Sequence, residues 1–384
     1  MSFPKNAANK LRKRQDENAF RTLSHARLPI DFSSNDYLGF ATKKELFTRS
    51  LDFLQKNKHE FSGSGGSRLI SGNHQLYQLA EKACCTFFEA ETALIFNSGF
   101  DANAGLVSSL PGRNDLIFYD ELVHASIRDG IQQSLAKAYK FEHNNIDQLE
   151  QLLQKHQAES VFVITETVFS MDGDVPDLQK LVSVCQQYQA FLILDEAHAV
   201  GVMKSGKGLA RPSELDGPVF ARIVTFGKAF GCNGAAVLGS EQLRDFLINF
   251  SRSFIYTTAL PPINVAAIAA SIQLFEEDGK PIQELQNRIR CFRTAIQFHG
   301  IESQFGESQS AIQTMNISGN TAVKHAAATV QEAGFDVKAI LSPTVPAGQE
   351  RLRICLHAFN SESEIQQLVS LLKDISFIQK PEFD

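Results

Sequence analysis

The chain has 384 residues, 43% of them hydrophobic, and a formal net charge of −6. That is ample for one large core with a smaller domain attached. The acidic balance excludes a basic field for nucleic acid, and no apolar run of about 18 residues is present to cross a membrane.

The N-terminus has no apolar signal core, and the six cysteines show no C-x-x-C spacing, so free thiols in a reducing cytoplasm are expected. Residues 4–24 read as a polar amphipathic helix, with the basic run Lys10–Arg14 on one face. A short strand with a polar turn, S-S-N-D-Y-L-G, is expected over Ile30–Leu38, and a helix over Thr42–Lys56. The stretch Ser62–Ser67 is too glycine-rich for helix or strand. Helical spacing resumes over His74–Phe88.

Strand-like runs then alternate with helical ones. Strands are predicted at Ala93–Asn97, Asp115–Tyr119, Ala138–Phe141, Ser160–Thr165, Phe191–Asp195, Arg222–Phe226 and Ala235–Gly239. Helices are predicted at Asp101–Ser109, Ala125–Leu135, Ile146–Lys155 and Leu178–Gln189. Continuous apolar strands such as V-F-V-I and F-L-I-L are buried on both faces. The alternation predicts an α/β fold with a mostly parallel seven-stranded sheet and helices on both faces. An apolar helix begins near Pro262 and a charged one spans Pro281–His299. Strands near Ala311–Ile317, Val337–Ile340 and Arg351–Leu356 then interleave with helices near Thr321–Ala333 and Glu362–Lys373, as in a smaller α+β domain. The expected division is an N-terminal segment 1–45, a large domain 46–275 and a small domain 276–384.

In open α/β sheets, ligands bind beyond the C-terminal ends of the strands. After the first predicted strand comes Ser98-Gly99-Phe100, opening a helix, where backbone N–H groups suit a phosphate. After the second comes His124 at a helix head, a position that equally suits a capping or packing group. Ser170 centres the turn Val168–Asp174. Asp195 and His198 follow the run F-L-I-L, and Thr225 and Lys228 follow the next strand. A lysine desolvated just past a buried strand has the depressed pKa that Schiff-base chemistry requires. Asp195-Glu-Ala-His198 also spells the D-E-A-H of some helicases, but no G-x-x-x-x-G-K-[ST] accompanies it. No His or Cys pair has zinc-ligand spacing, so no metal is expected. The set fits pyridoxal phosphate (PLP). Lys228 would hold the cofactor, Asp195 would pair with the ring nitrogen, and the Gly99/Phe100 turn would take the phosphate.

The chain resembles the α-oxoamine synthase family of fold-type I PLP enzymes. The matching stretches are F-S-S-N-D-Y-L-G (32–39), G-S-G-G-S-R (63–68), N-S-G-F-D-A-N (97–103), V-H-A-S (123–126), T-E-T-V-F-S-M-D-G-D (165–174), D-E-A-H-A-V-G (195–201), T-F-G-K-A-F-G (225–231), I-Y-T-T-A-L-P-P (255–262) and P-T-V-P-A-G-Q-E-R-L-R (343–353). The resemblance implies Lys228, His124 and Asp195 as the catalytic set, with His124 stacked on the cofactor ring. It implies further cofactor contacts from Ser98, Gly99, Phe100, Ser170, His198 and Thr225. Thr257, beside Thr258, would reach the phosphate of a neighbouring subunit, which implies a homodimer with active sites at the subunit interface. Arg21, Asn35, Thr344 and Arg353 match positions near the substrate, and Arg353 is a fork for an amino acid carboxylate. Members join a small amino acid to an acyl thioester and release CO2. Several stretches look most like the branch that joins alanine to a pimeloyl thioester in biotin synthesis, with CoA or an acyl carrier protein as donor. D-E-A-H-A-V-G is nearer the glycine-using branches, which keeps glycine with acetyl-CoA open. A PLP transaminase of the same fold is the remoter alternative.

Overall fold

The computed structural model describes residues 3–23, 28–211 and 213–378. The chain forms two compact units. One comprises Asp36–Ser170 and Val175–Gln283; the other comprises Met1–Asn35, Met171–Asp174 and Glu284–Asp384.

The first of these units is built on a seven-stranded sheet. Its spatial order is Thr92–Phe96, Ala235–Gly239, Ala221–Thr225, Phe191–Asp195, Val161–Glu166, Leu116–Asp120 and Lys137–Phe141. Only Ala235–Gly239 runs against the others, being antiparallel to both its neighbours. The sheet is therefore mostly parallel, as the alternation predicted. Strand alternation sends successive side chains to opposite faces. Ile117, Phe162, Ile164 and Ile193 join one buried cluster with residues of the helices Gly99–Ser109 and Glu241–Phe250. Leu116, Phe118, Val163, Leu192 and Leu194 join another with the helices Ile146–Lys155 and Leu178–Gln187. Both faces are thus dry, which is why these strands read as unbroken apolar runs.

The other unit holds a three-stranded antiparallel sheet, Lys338–Ile340, Arg351–Cys355 and Ile312–Asn316 in spatial order. A parallel pair, Ile30–Asp31 with Phe335–Asp336, lies in the same unit. The helices Asn320–Glu332 and Glu362–Ile378 belong to it as well.

Several elements differ from expectation for local reasons. The first helix ends at Asp16 and does not reach residue 24. Asn18 takes a left-handed φ of 50°, and Ala19 N–H donates to Arg14 O, a Schellman-type stop. The strand expected over Ile30–Leu38 is only Ile30–Asp31. The Asp31 carboxylate accepts the N–H groups of Ser33 and Ser34, which turns the chain away from the ladder. The glycine-rich loop runs into a π-helical turn, Arg68–Gly72. Leu243, Phe246, Leu247 and Phe250 recur at helical spacing, and Glu241–Phe250 is a helix capped by Ser240, an element that strand-and-helix patterning did not single out. The six cysteines carry no disulfide. Among the described residues, no helix is long and apolar enough to cross a membrane, and no cluster of His, Cys, Asp and Glu could hold a metal.

Candidate active site

Six parallel strands end on one edge of the large sheet, and the last residues of five of them or the segments beyond carry Ser98, His124, Ser170, Asp195 with His198, and Thr225 with Lys228. The clustering expected from the sequence is therefore present within one unit.

Ser98 caps the helix Gly99–Ser109, its Oγ accepting the Asp101 N–H. The Gly99 and Phe100 N–H groups belong to the first turn, whose donors have no intrahelical acceptor. A side chain at position 99 would place its Cβ 2.6 Å from Thr225 Cγ2. Glycine is what lets this helix terminus approach the end of the neighbouring strand, so the backbone is bare where an anion would sit. Asn97 donates to Thr257 Oγ1 at 3.1 Å and to Thr258 O at 2.6 Å, which brings the I-Y-T-T stretch to the same helix start.

Lys228 lies in the turn after strand Ala221–Thr225 and is half-buried. Its backbone is pinned by Gly231 N–H donating to Lys228 O and by Cys232 N–H donating to Phe226 O. Gly231 has a φ of 64°, and a Cβ there would run into the backbone of Phe40 and Ala41. Gly231 of G-K-A-F-G thus serves a tight, crowded turn that presents the lysine.

Asp195 ends its strand 4% exposed. One carboxylate oxygen accepts the Ala197 N–H at 2.8 Å and the other accepts Asn103 Nδ2 at 2.6 Å. His124 caps the helix Ala125–Gln133 through Nδ1, which accepts the Ser126 N–H. It is thus both a capping group and a candidate ring partner. Its side chain reaches solvent, yet desolvation by the protein around it outweighs the pull of Asp195 and holds its pKa below the ordinary imidazole value. Glu166 is buried at the end of the adjacent strand and accepts the His124 N–H at 2.6 Å. Burial, with the Asp195 charge close by, pushes its carboxyl well above the usual range. His198 is buried and shares a 2.8 Å hydrogen bond between Nδ1 and the Tyr37 hydroxyl. Ser170 is half-buried at the end of its segment. Asn103, Ser126, Glu166 and Tyr37 belong to this site but were not singled out from the sequence. Each lay inside a matching stretch, and only the tertiary fold shows what it touches.

Glu196, in the stretch that is nearer the glycine-using branches, turns away from this edge. Its buried carboxylate contacts Arg222 at 2.6 Å and accepts the Leu209 and Ala210 N–H groups. In the other unit, Arg353 is buried and donates to Asn35 Oδ1 at 3.1 Å and to Cys355 Sγ at 2.9 Å. Arg21 donates to Thr344 Oγ1 at 3.0 Å. The four substrate candidates therefore form two pairs.

The aminotransferase class I and II family matches residues 28–372. An 8-amino-7-oxononanoate synthase of Emericella nidulans is 40% identical, over 94% of this chain and 93% of the relative. The crystal structure of 8-amino-7-oxononanoate synthase from Francisella tularensis superposes with a TM-score of 0.77 at 29% identity, covering 91% of this chain and 98% of that one. A serine palmitoyltransferase of Sphingomonas wittichii superposes with a TM-score of 0.87 at 26% identity, covering 97% of each. With its lysine turn, buried acid and bare helix start on one sheet edge, the chain belongs to the aminotransferase class I and II family, among relatives named 8-amino-7-oxononanoate synthase.

Proposed function

We propose that this protein is a PLP-dependent acyltransferase that joins L-alanine to a pimeloyl thioester, releasing CO2 and free thiol and yielding 8-amino-7-oxononanoate for biotin synthesis. The observation that carries the reading is Lys228 in its pinned turn on the same sheet edge as buried Asp195 and the Gly99 helix start. The fit to the cofactor is physical. The Gly99 position has no room for a side chain beside Thr225, while its helix terminus offers N–H donors to a phosphate. Asp195 already accepts two hydrogen bonds, which fix its carboxylate at this sheet edge and leave an acid to pair with a protonated ring nitrogen.

When bound, PLP supplies an electron sink for the carbanion at the amino acid Cα. Lys228 anchors the cofactor in the resting enzyme, and its amine takes and returns the Cα proton. Asp195 would hold the proton on the ring nitrogen, and His124 would cover the ring. Ser170 and His198 serve the phenolic oxygen, Thr225 and the Ser98–Phe100 turn the phosphate. Arg353 and Asn35 receive the amino acid carboxylate, with Arg21 and Thr344 nearby in role. The bond formed joins the alanine Cα to the acyl carbonyl carbon, the thiol leaves, and the former carboxylate departs as CO2. The protein acts in the cytoplasm as a homodimer in which Thr257 serves the neighbouring phosphate. In support of a partner, Phe47, Phe61, Ile70 and Tyr256 of the larger unit are each more than 60% exposed.

D-E-A-H-A-V-G leaves glycine open in place of alanine, but Glu196 is engaged with Arg222 and two backbone N–H groups, so Glu196 itself does not select the amino acid. The test is to purify the wild type and Lys228→Ala and to supply alanine, glycine or serine with a panel of acyl thioesters. The wild type is expected to show near-visible cofactor absorbance and alanine-dependent release of CO2 and thiol, and Lys228→Ala to lose that turnover. A wild type without that absorbance, a variant that keeps full turnover, or an α-keto acid product without CO2 would each overturn the reading.

A further inference from the structure

Two side chains, Asn103 and Ser126, join Asp195 to His124 without a gap. Asn103 Nδ2 donates to Asp195 Oδ2 at 2.6 Å and lies 3.1 Å from Ser126 Oγ, which lies 2.8 Å from His124 Nδ1. Asn103 is 2% exposed and Ser126 is fully buried. The order of donors can be assigned from its two ends. A carboxylate only accepts, so the Asn103 amide nitrogen faces Asp195. That same nitrogen then donates to Ser126 Oγ, whose own proton remains for His124. At the other end, the Ser126 backbone N–H, which cannot reverse, points at His124 Nδ1 from 3.2 Å. A proton on Nδ1 would face that N–H head-on. A lone pair there accepts both the N–H and the hydroxyl.

We propose that Asn103 and Ser126 are positioning residues that couple Asp195 to His124 and hold the imidazole as the neutral Nε2–H tautomer. The proposal rests on the reading of Asp195 and His124 as cofactor residues. A second observation points the same way. Asn103 Oδ1 is buried with no hydrogen-bond partner among the described residues, and leaving a buried acceptor unmet is unfavourable. Turning the amide would meet that oxygen but would set it against the Asp195 carboxylate. The orientation is therefore imposed by Asp195. The charged groups facing His124 are Asp195, Lys228 in its turn and Asp129 on its own helix, with Glu166 accepting its backbone N–H. Asp195 and Asp129 favour the imidazolium; Lys228 and desolvation oppose it, and the opposition prevails. A neutral imidazole adds no second cation beside a ring whose protonated nitrogen Asp195 must hold, so the acid stays committed to that nitrogen.

The test uses the full-length holoenzyme labelled with 15N-histidine, with His124 assigned by comparison with His124→Gln. Nitrogen shifts are followed through a pH titration for wild type, Ser126→Ala, Ser126→Thr and Asn103→Ala. In wild type, Nδ1 is expected unprotonated and Nε2 protonated, with titration below the ordinary imidazole range. Ser126→Ala removes one donor to Nδ1 and should raise the proton affinity about threefold or more. Asn103→Ala should move it in the same direction, and Ser126→Thr should keep the wild-type pattern. Protonated Nδ1 in the wild type, or Ala variants with unchanged tautomer and titration, would overturn the proposal. Should Ser126→Ala fail to fold, the wild-type tautomer and Asn103→Ala decide. A wild type without cofactor absorbance would sink the cofactor reading and leave the tautomer result intact.

Discussion

Replacing Gly99 with alanine tests the phosphate end of the site with a single methyl group. The new Cβ would stand 2.6 Å from Thr225 Cγ2, the next atom being Thr225 Cβ at 3.8 Å. Ordinary carbon–carbon contact lies at about 3.5–4.0 Å, so something must give by about 1 Å. Thr225 is 6% exposed and in a central strand, so the helix start is the softer side. Overpacking of this kind costs about 1–3 kcal/mol. If the displacement falls on the N–H groups offered to phosphate, the same energy weakens PLP binding by about 5- to 150-fold. Thr225→Ser deletes the offending Cγ2 and keeps the hydroxyl. The double variant Gly99→Ala/Thr225→Ser should therefore recover most of the affinity, a strong non-additivity between touching residues. Cofactor titration by near-visible absorbance gives the dissociation constants, and thermal melts show whether the fold is kept. Unchanged affinity in Gly99→Ala, or no rescue by Thr225→Ser, would refute this account of the glycine.

Glu196→Ala leaves the guanidinium of Arg222, 4% exposed, without its carboxylate; a loss of about 3–5 kcal/mol is expected in denaturant unfolding. Asp195→Asn should keep the fold and bind PLP through Lys228, yet lower kcat by about 10- to 150-fold, the value of a charge-assisted hydrogen bond of about 1.5–3 kcal/mol; turnover and the cofactor spectrum check this together. Folding raises the Glu166 carboxyl above its unfolded value of 4.5. Its contribution to stability is thus fully present below that pH and is lost as pH rises toward the folded value. Glu166→Gln should therefore gain on the wild type as pH rises above about 4.5, and parallel melting curves across pH would contradict the assignment.

Much of this site was legible because its signals are local. A strand buried on both faces must be apolar throughout, so V-F-V-I and F-L-I-L declare themselves, and the residues next in sequence after each strand lie at its end in space. Asp195 and Lys228 could be read that way, as could the Ser98-Gly99-Phe100 turn. Strand alternation also opposes Glu196 to Asp195, in keeping with its contact to Arg222. Residues whose importance lies in a distant partner were not legible. Asn103 reads as one polar residue in an apolar helix until the fold sets it against Asp195, 92 positions on. Tyr37 and His198 meet across 161 positions. Glu166 reads as the end of a strand until the His124 N–H is seen to point at it.

Sequence alone determined the strand and helix alternation, the bare glycine at the helix start and the lysine past its strand, because each comes from nearest-neighbour geometry and from which side chains water rejects. The tertiary structure alone decided the order of the strands, the partner of Glu196 and the direction of the chain from Asp195 to His124. Those depend on which groups are buried together, where a donor must find an acceptor and a charge its counter-charge.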